Sequence, residues 1–528
     1  MPPVQVTRPV PPDRASVYRA AGWWDSRGLG DGIERAAGST PDELALADDR
    51  TTLSWTGLGA AVAGGVRILK AAEIGAGDPL VVMCGNTIAG AVVIHAALRR
   101  GAITALLDRR VGTADVEATR RALGGAVRVV AAAPERARLG LDPTAVVESE
   151  LFGGAPDPLD APWAEPDRDA PAVVLFTSGT TGNPKAVVHS LNTLTAGAAN
   201  MATITGCDAG DVLFLVSPLA SITGVMQLLL AADQHAALVL TDSFDPDPTL
   251  SRMDEVGATI LGGAPVIAER LLEAAQLRGT EQIALRTLAL GGAMLPRPML
   301  ELATERFGIE VARVYGSSEA PNFSGSTPDD APARRLADDG KVTAGGEILV
   351  GSVEHPEEGL VRGPSVFLGY ADPADNDHSF EHGWYRTGDL VEMHDGRLTV
   401  TGRLKEIVNR NGLKISPSEI DRVLTSMPGI VEHACFGVHD PSTGERLAVA
   451  VRPVEGRPVR LKDVTEHLLA AGVARRKLPE QLVEWVGSLP RTPSGKIIRS
   501  QLVRDAASMA SELADRLHSP PAPERTSP

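Results

Sequence analysis

Between Asp78 and Asp108 the chain reads "DPLVVMCGN", then "TIAGAVVIHAALRRG", then "AITALLD". The first run is short, apolar and bounded by turn residues, as a buried strand is. The second has the length and composition of a helix, closed by Gly101. The third is another strand. Strand, helix and strand in this order make a βαβ unit, which requires a parallel sheet with helices packed on its faces. The pattern recurs further on. "DVLFLVSP", "LRTLALGG" and "EVARVYGSSE" read as strands, and "VIAERLLEAAQL" and "RPMLELATERFG" as helices.

After about Thr327 the texture changes. "GGEILVGS", "EGLVRGPSVFLGY" and "DLVEMHDGRLTVTG" are short segments separated by Gly and Asp-Gly turns, the pattern of antiparallel strands. They predict a small β-barrel over residues 328–401. From "GRLKEIVNRNG" onward a compact α+β segment is expected, with the boundary near Gly402–Lys405. Within it, Ser416, Pro417 and Glu419 form an S-x-x-E capping box with proline at the first helical position, so Glu419 is read as structural.

At 528 residues and 43% hydrophobic content the chain can bury more than one core. Its net charge of -16 argues against general nucleic-acid binding. From Gly402 onward it carries 19 Lys+Arg against 15 Asp+Glu, and the remainder carries 32 against 52. A mildly basic end on an acidic body would bring cations to an anionic substrate. Cys84, Cys207 and Cys435 are scattered, which suits a reducing compartment and builds no metal site. "MPPVQVTRPVPPDRA" has no apolar signal core and no run approaches a membrane span, so the expected location is cytoplasmic.

"LFTSGTTGNPKAVVHS" (Leu175–Ser190) breaks from an apolar strand into Gly, Ser and Thr and then delivers one lysine. Glycines let backbone N–H groups converge on an anion. Ser178, Thr180 and Thr181 add hydroxyls and Lys185 adds charge, which together describe a phosphate cradle. The order Gly179, Gly182, Lys185 is not that of a Walker A loop, and neither a GxGxxG fingerprint nor a GxSxG elbow is present. On composition alone, a surface loop stands beside the cradle as a reading.

The surrounding motifs decide between the two. "TSGTTGNPKAVVHS" resembles the phosphate-binding signature of the adenylate-forming superfamily of acyl-CoA synthetases, peptide-synthetase adenylation domains and luciferases. "LALGGAML" (Leu288–Leu295), "VYGSSEA" (Val314–Ala320) and "GWYRTGDL" (Gly383–Leu390) resemble its adenine-side and ribose-binding motifs. "GRLKEIVNRNGLKISPSEI" (Gly402–Ile420) resembles its hinge and thiol-access loop, and "LPRTPSGKIIRSQL" (Leu489–Leu502) its catalytic-lysine motif. Six motifs arrive in the family's order over nearly the whole chain, closest to the carboxylic acid–CoA ligases. The resemblance implies an α/β N-terminal adenylation domain at 1–401, a smaller mobile α+β domain at 402–518, and a disordered tail at 519–528.

It further implies ATP, Mg2+ and coenzyme A, and a role for each matched residue. Thr177, Ser178, Gly179, Thr180, Thr181, Gly182 and Lys185 would hold the ATP phosphates, with Thr180 and Lys185 acting in catalysis. Tyr315 would stack on adenine, Gly291, Gly292 and Ala293 would let the ring approach the backbone, and Gly316, Ser317 and Ser318 would also bind ATP. Glu319 would hold magnesium, Asp389 the ribose, Arg403 the ribose or a phosphate, and Lys496 would bridge carboxylate and α-phosphate. Lys405 would be the hinge, and Gly412 and Lys414 would lie along the pantetheine path. Gly412 reads equally as a turn glycine.

"SPLASITGVMQLLL" (Ser217–Leu230) falls where the family walls its acyl pocket. It lacks the aspartate with which amino-acid-activating members pair the substrate ammonium. Ser221 is smaller than the histidine or aromatic residue often found there. Ser221, Thr223, Gly224, Val225, Gly262 and Gly292 are the expected lining, with Met226 and Gly263 beside them; Val225, Met226, Gly262 and Gly263 would make it apolar or empty. This points to a bulky, largely apolar acid: alicyclic, polycyclic, aryl or fatty. Another side chain filling the space is the competing reading. The acceptor is free CoA or a carrier-protein phosphopantetheine. A catalytically silent binding protein is disfavoured by retention of Lys185, Glu319, Asp389, Arg403 and Lys496.

Overall fold

A computed structural model of the chain describes residues 10–24, 31–125, 127–141, 166–177, 185–292, 295, 297–492, 496–514 and 517. The strand Pro79–Cys84 pairs in parallel with Ile103–Asp108 through the helix Ile88–Arg99. Thr87 caps that helix by accepting from the Gly90 N–H, and Gly101 leaves it at φ +69°. These strands belong to a six-stranded sheet that also contains the hairpin Pro171–Thr177 and Lys185–Ser190.

A larger sheet carries the second parallel run. Glu310–Tyr315, Thr287–Gly291, Ile260–Gly263, Val212–Leu215 and Ala237–Leu240 lie side by side in parallel register. Helices Leu191–Thr205 and Ile222–Gln234 lie in the core between the two sheets, where Leu194, Ala198, Val225 and Leu230 pack with Leu80, Val92 and Val173. The expected helix over "RPMLELATERFG" divides into an α-helical turn, Arg297–Glu301, and a π-helical one, Leu302–Arg306.

The antiparallel strands after Thr327 do not close a separate barrel among the described residues. They continue the larger sheet: Tyr315 pairs with Ser324, Gly325 with Lys341, and Lys341 with Arg397. The edge of Glu310–Tyr315 was open, and the chain satisfied its backbone groups by returning along it. A Cβ on Gly340 would lie 1.9 Å from the Gly325 carbonyl carbon, so this junction admits only glycine.

The third sheet is built from residues beyond Val408. Ile430–Asp440 and Gly444–Pro453 form its long hairpin, and Gln481–Glu484 adds in parallel. Ser416 caps the helix Pro417–Leu424 as expected, accepting from the Glu419 N–H at 3.4 Å. The capping box is only half formed. The Glu419 carboxylate takes Lys477 at 2.6 and 2.8 Å, because a full charge nearby outcompetes a backbone N–H. Residues 519–528 lie outside the described residues.

Arg397 is 3% exposed and holds Asp338 through Nε at 2.8 Å and Asp330 through Nη1 at 2.8 Å. Burial pushes both carboxyls up, but hydrogen bonds from Arg397 and from backbone N–H groups outweigh it, and both sit below the usual carboxylate range. Arg397→Met should therefore destabilise the protein by about 3–5 kcal/mol at neutral pH, read as a lowered Tm. The wild-type advantage is full above the carboxylates' ordinary value of 3.8 and is lost as pH falls through their lowered folded-state values. An equal gap between variant and wild type at acid and neutral pH would contradict this.

Candidate active site

The site assembles at the carboxyl ends of the parallel strands Thr287–Gly291 and Glu310–Tyr315. A Cβ on Gly291 would meet the Val314 oxygen at 2.3 Å, so the two strands close together only with glycine there. Gly292 follows at φ +78°, and a Cβ built on it would lie 3.1 Å from Lys496 Cε and 3.7 Å from Nζ. Lys496 comes from the far end of the chain. An antiparallel bridge between Arg491 and Ile497 and a Thr492 N–H bond to the Lys496 carbonyl at 2.8 Å form the hairpin stem that presents it.

Tyr315 ends its strand and donates its hydroxyl to Asp389 Oδ2 at 2.9 Å. Asp389, 4% exposed, faces Arg403 across the antiparallel pair Trp384–His394 and Arg397–Arg403. Arg403 Nε lies 2.8 Å from Asp389 Oδ1, yet Oδ1 has no partner of hydrogen-bond geometry. Asp389 Oδ1 is thus held by an ion pair with Arg403, while Oδ2 takes the Tyr315 hydroxyl.

Glu319 is pinned by its turn. A Cβ on Gly316 would strike the Asn322 nitrogen at 2.7 Å, and Ser317 Oγ accepts from the N–H groups of Glu319 and Ala320. Buried His189 donates from Nε2 to the Ser318 carbonyl at 2.7 Å, and burial lowers its pKa to about 4, so it stays neutral. The Phe367 N–H takes the Glu319 carbonyl at 2.8 Å. The Glu319 side chain, itself buried, accepts from the Tyr370 hydroxyl at 2.8 Å.

Lys185 stands over the Tyr370 ring with Nζ 4.6 Å from its centre, and 3.3 Å from Asp375 Oδ1. Thr177 is its partner across the hairpin stem. Ser178, Gly179, Thr180, Thr181 and Gly182 lie outside the described residues, as does Ala293.

Burial lowers the Lys496 pKa. Arg403 and Lys405 lower it further, while Asp389 and Glu319 oppose them. Three cations thus share one neighbourhood with two carboxylates. Among the described residues no group of three or more His, Cys, Asp or Glu could hold a metal. A single buried carboxylate fits magnesium, which keeps water and takes its other ligands from phosphate, better than it fits an ion caged by protein.

The expected acyl wall has local explanations for some of its small residues. Ser221 caps the helix Ile222–Gln234, accepting from the Gly224 N–H at 3.2 Å and donating to the Pro218 carbonyl at 2.6 Å. A Cβ on Gly224 would lie 2.5 Å from the Leu219 Cα. Thr223 is partly exposed in the first turn of that helix, while Val225 and Met226 are buried. The space over Gly262 is not empty, which corrects that expectation. Gln227 Nε2 and Met201 Cε would stand 3.0 and 3.3 Å from a Cβ there. Buried Asn86 braces the wall, donating to the carbonyls of Ser217 and Thr241 and accepting from the Leu219 N–H.

Other expected residues stand at the margin of the site or beyond it. Lys405 is exposed on the 3-10 turn Leu404–Glu406. Gly412, at φ +81° with nothing within 4 Å of a Cβ, turns the hairpin that bears exposed Lys414. The turn explains that glycine. Sequence reasoning missed Asn86, Gln227, Tyr370 and Asp375. For Gln227 a signal existed: it is the one polar side chain between Val225 and Leu230 on a buried helix.

The AMP-binding enzyme family model matches residues 33–371, and that of the AMP-binding enzyme C-terminal domain matches residues 419–496. The chain belongs to this family, whose members form adenylates. It is 30% identical to a 2-hydroxy-7-methoxy-5-methyl-1-naphthoate–CoA ligase of Streptomyces carzinostaticus, over 96% of this chain and 97% of that one. It is 31% identical to a salicyl-AMP ligase/salicyl-S-ArCP synthetase of Mycobacterium tuberculosis, over 94% of each. Among solved structures, the o-succinylbenzoate coenzyme A synthetase of Bacillus subtilis in complex with ATP and magnesium matches with TM-score 0.77 and 25% identity, over 90% of this chain and 99% of that one.

If Lys496 must be protonated to act, the alkaline limb of the pH profile for adenylation should lie below the ordinary lysine value of 10.5. Lys405→Ala removes a nearby positive charge and should move that limb up. Asp389→Asn removes a negative one and should move it down, at saturating ATP. Pyrophosphate release against pH reads both, and shifts of the same sign would refute the assignment.

Proposed function

We propose that this protein is an ATP- and magnesium-dependent carboxylic acid–CoA ligase acting through an acyl-adenylate on a bulky, mainly apolar acid. The observation that carries the reading is the reach of Lys496 onto Gly292, beside Asp389, Arg403 and Glu319. That constellation can place one cation between two anions that repel each other, a carboxylate and an α-phosphate.

In the first half-reaction a carboxylate oxygen attacks the α-phosphorus and pyrophosphate leaves. Lys496 spans carboxylate and phosphoryl oxygen, and the charge on its flexible stem follows both as the bond forms. Asp389 accepts from the ribose, with the Tyr315 hydroxyl and Arg403 setting its orientation. Tyr315 thereby acts through its hydroxyl as well as its ring. Glu319, held by its turn and by Tyr370, would ligate magnesium, which neutralises phosphate charge when bound. Lys185 and the adjoining loop bind the leaving phosphates.

In the second half-reaction a thiol sulfur attacks the acyl carbonyl and AMP leaves. Rotation about Lys405 would withdraw Lys496 and bring up the loop that contains Gly412 and Lys414. Ser416 Oγ to the Thr401 carbonyl at 2.8 Å and Arg422 Nη2 to the Val400 carbonyl at 2.5 Å tie that unit to the strand Arg397–Arg403 near the hinge. The salicyl-S-ArCP synthetase among the relatives supports a second acceptor, a carrier-protein phosphopantetheine. No described helix is long and apolar enough to cross a membrane.

Pyrophosphate release should be measured with ATP, magnesium and a panel of acids, with and without CoA. A bulky apolar acid should release pyrophosphate, yield a thioester only with CoA, and lose activity on chelation of magnesium. Lys496→Ala should slow adenylation by at least about 10²-fold. Adenylate that never passes to CoA would instead assign the carrier protein.

A further inference from the structure

The helix Ile222–Gln234 is apolar through its buried middle, where Val225, Met226, Leu228, Leu229 and Leu230 pack into the core. Gln227 interrupts that run and is 1% exposed. Its amide donates from Nε2 to the Gly262 carbonyl at 3.3 Å. The bond sets which way the amide faces, since the opposite rotamer would press two carbonyl oxygens together. Oε1 is consequently turned away from the strand Ile260–Gly263, is buried, and has no hydrogen-bond partner. A leucine or methionine would fill the same volume without leaving an unpaired acceptor; the bond to Gly262 accounts for the amide nitrogen but not for its oxygen.

Position gives the oxygen a use. Gln227 lies four residues after Thr223, hence on the same helix face, and within Ser217–Leu230, the segment expected to wall the acyl pocket. Gly262 sits opposite Ala289 in the parallel pair with Thr287–Gly291, and Gly292, beside Lys496, is three residues further along. At ordinary strand rise and spacing Gly262 is roughly 11 Å from Gly292. An acid that meets Lys496 with its carboxylate and runs along these strand ends would bring its far end, not its α-carbon, toward Gln227.

We propose that the acid activated by this protein carries a hydrogen-bond donor, a hydroxyl or amino group, at the end remote from its carboxylate, and that Gln227 Oε1 accepts it. This rests on the acid–CoA ligase reading and narrows its substrate class: the acid is apolar in its body and polar at its tip. Gln227 is then the residue that distinguishes such an acid from its unsubstituted analogue, because a buried acceptor left unpaired penalises the analogue.

The test has two arms. In the first, pyrophosphate release is measured for matched acids: 2-naphthoate, 3-hydroxy-2-naphthoate and 6-hydroxy-2-naphthoate, with benzoate, cyclohexanecarboxylate and decanoate beside their terminally hydroxylated counterparts. On any skeleton turned over, wild type should favour the remote hydroxyl by about tenfold or more in kcat/KM over the unsubstituted acid, and Gln227→Met should reverse the order. A wild-type preference for the unsubstituted or the adjacent-hydroxyl acid, or an order unchanged in Gln227→Met, overturns the proposal. In the second arm the ligand-free proteins are melted. Gln227→Met gives up the Nε2 bond to the Gly262 carbonyl as well as the unpaired oxygen, so the two changes offset and its Tm should stay within a few degrees of wild type. A fall of several degrees means that Oε1 is already satisfied, and also overturns it. Pyrophosphate release from none of the acids would count against the ligase reading, while the melting arm still decides the state of Oε1.

Discussion

Lys496 is held among like charges, and the rest of the site follows from what makes that tolerable. Arg403 and Lys405 both disfavour its protonated form, as burial does. Buried Asp389 and Glu319 supply the opposing charge, and each is anchored by a tyrosine hydroxyl, Tyr315 for the first and Tyr370 for the second. A surplus of cations next to two fixed carboxylates favours a ligand that brings several negative charges of its own, as a nucleoside triphosphate does.

That balance depends on the way the sheets join. Asp389 and Arg403 lie on antiparallel strands, and Tyr315 and Gly292 belong to the parallel run. They meet because Ser324–Gly325 and Lys341–Val342 stitch the two sets into one sheet. The Arg397 pair with Asp330 and Asp338 locks the junction behind them. At the other end Arg499, three residues beyond Lys496, binds Glu406 beside the hinge, Asp421 and the Cys435 carbonyl. The hairpin of Lys496 and the turn that bears Lys405 are thereby parts of one body.

Much of this was legible in the residues. The βαβ unit from Asp78 to Asp108 follows from apolar runs and Gly101, since local pattern and topology agree there. The motif residues Tyr315, Glu319, Asp389, Arg403 and Lys496 are distant in sequence, and only their resemblance to a family suggested that they meet. The barrel over 328–401 misled because strand and turn signals state that strands form and not which edge they join. Glu419 misled in the same manner: a capping pattern is local, and Lys477 arrives from 58 residues away. Gly262 looked like open space because a missing side chain does not reveal which neighbour occupies the gap.

The sequence by itself determined most of the secondary elements and the set of charged groups, because these rest on local propensity, spacing and side-chain type. Tertiary structure alone decided which carboxylate faces which cation, that Tyr370 and His189 brace Glu319, and that Gln227 keeps an unpaired oxygen in the core. Those outcomes depend on distances between residues far apart in the chain, and burial makes each of them count: in a low-dielectric interior a misplaced charge or an unmatched acceptor is costly, whereas at the surface water would have hidden it.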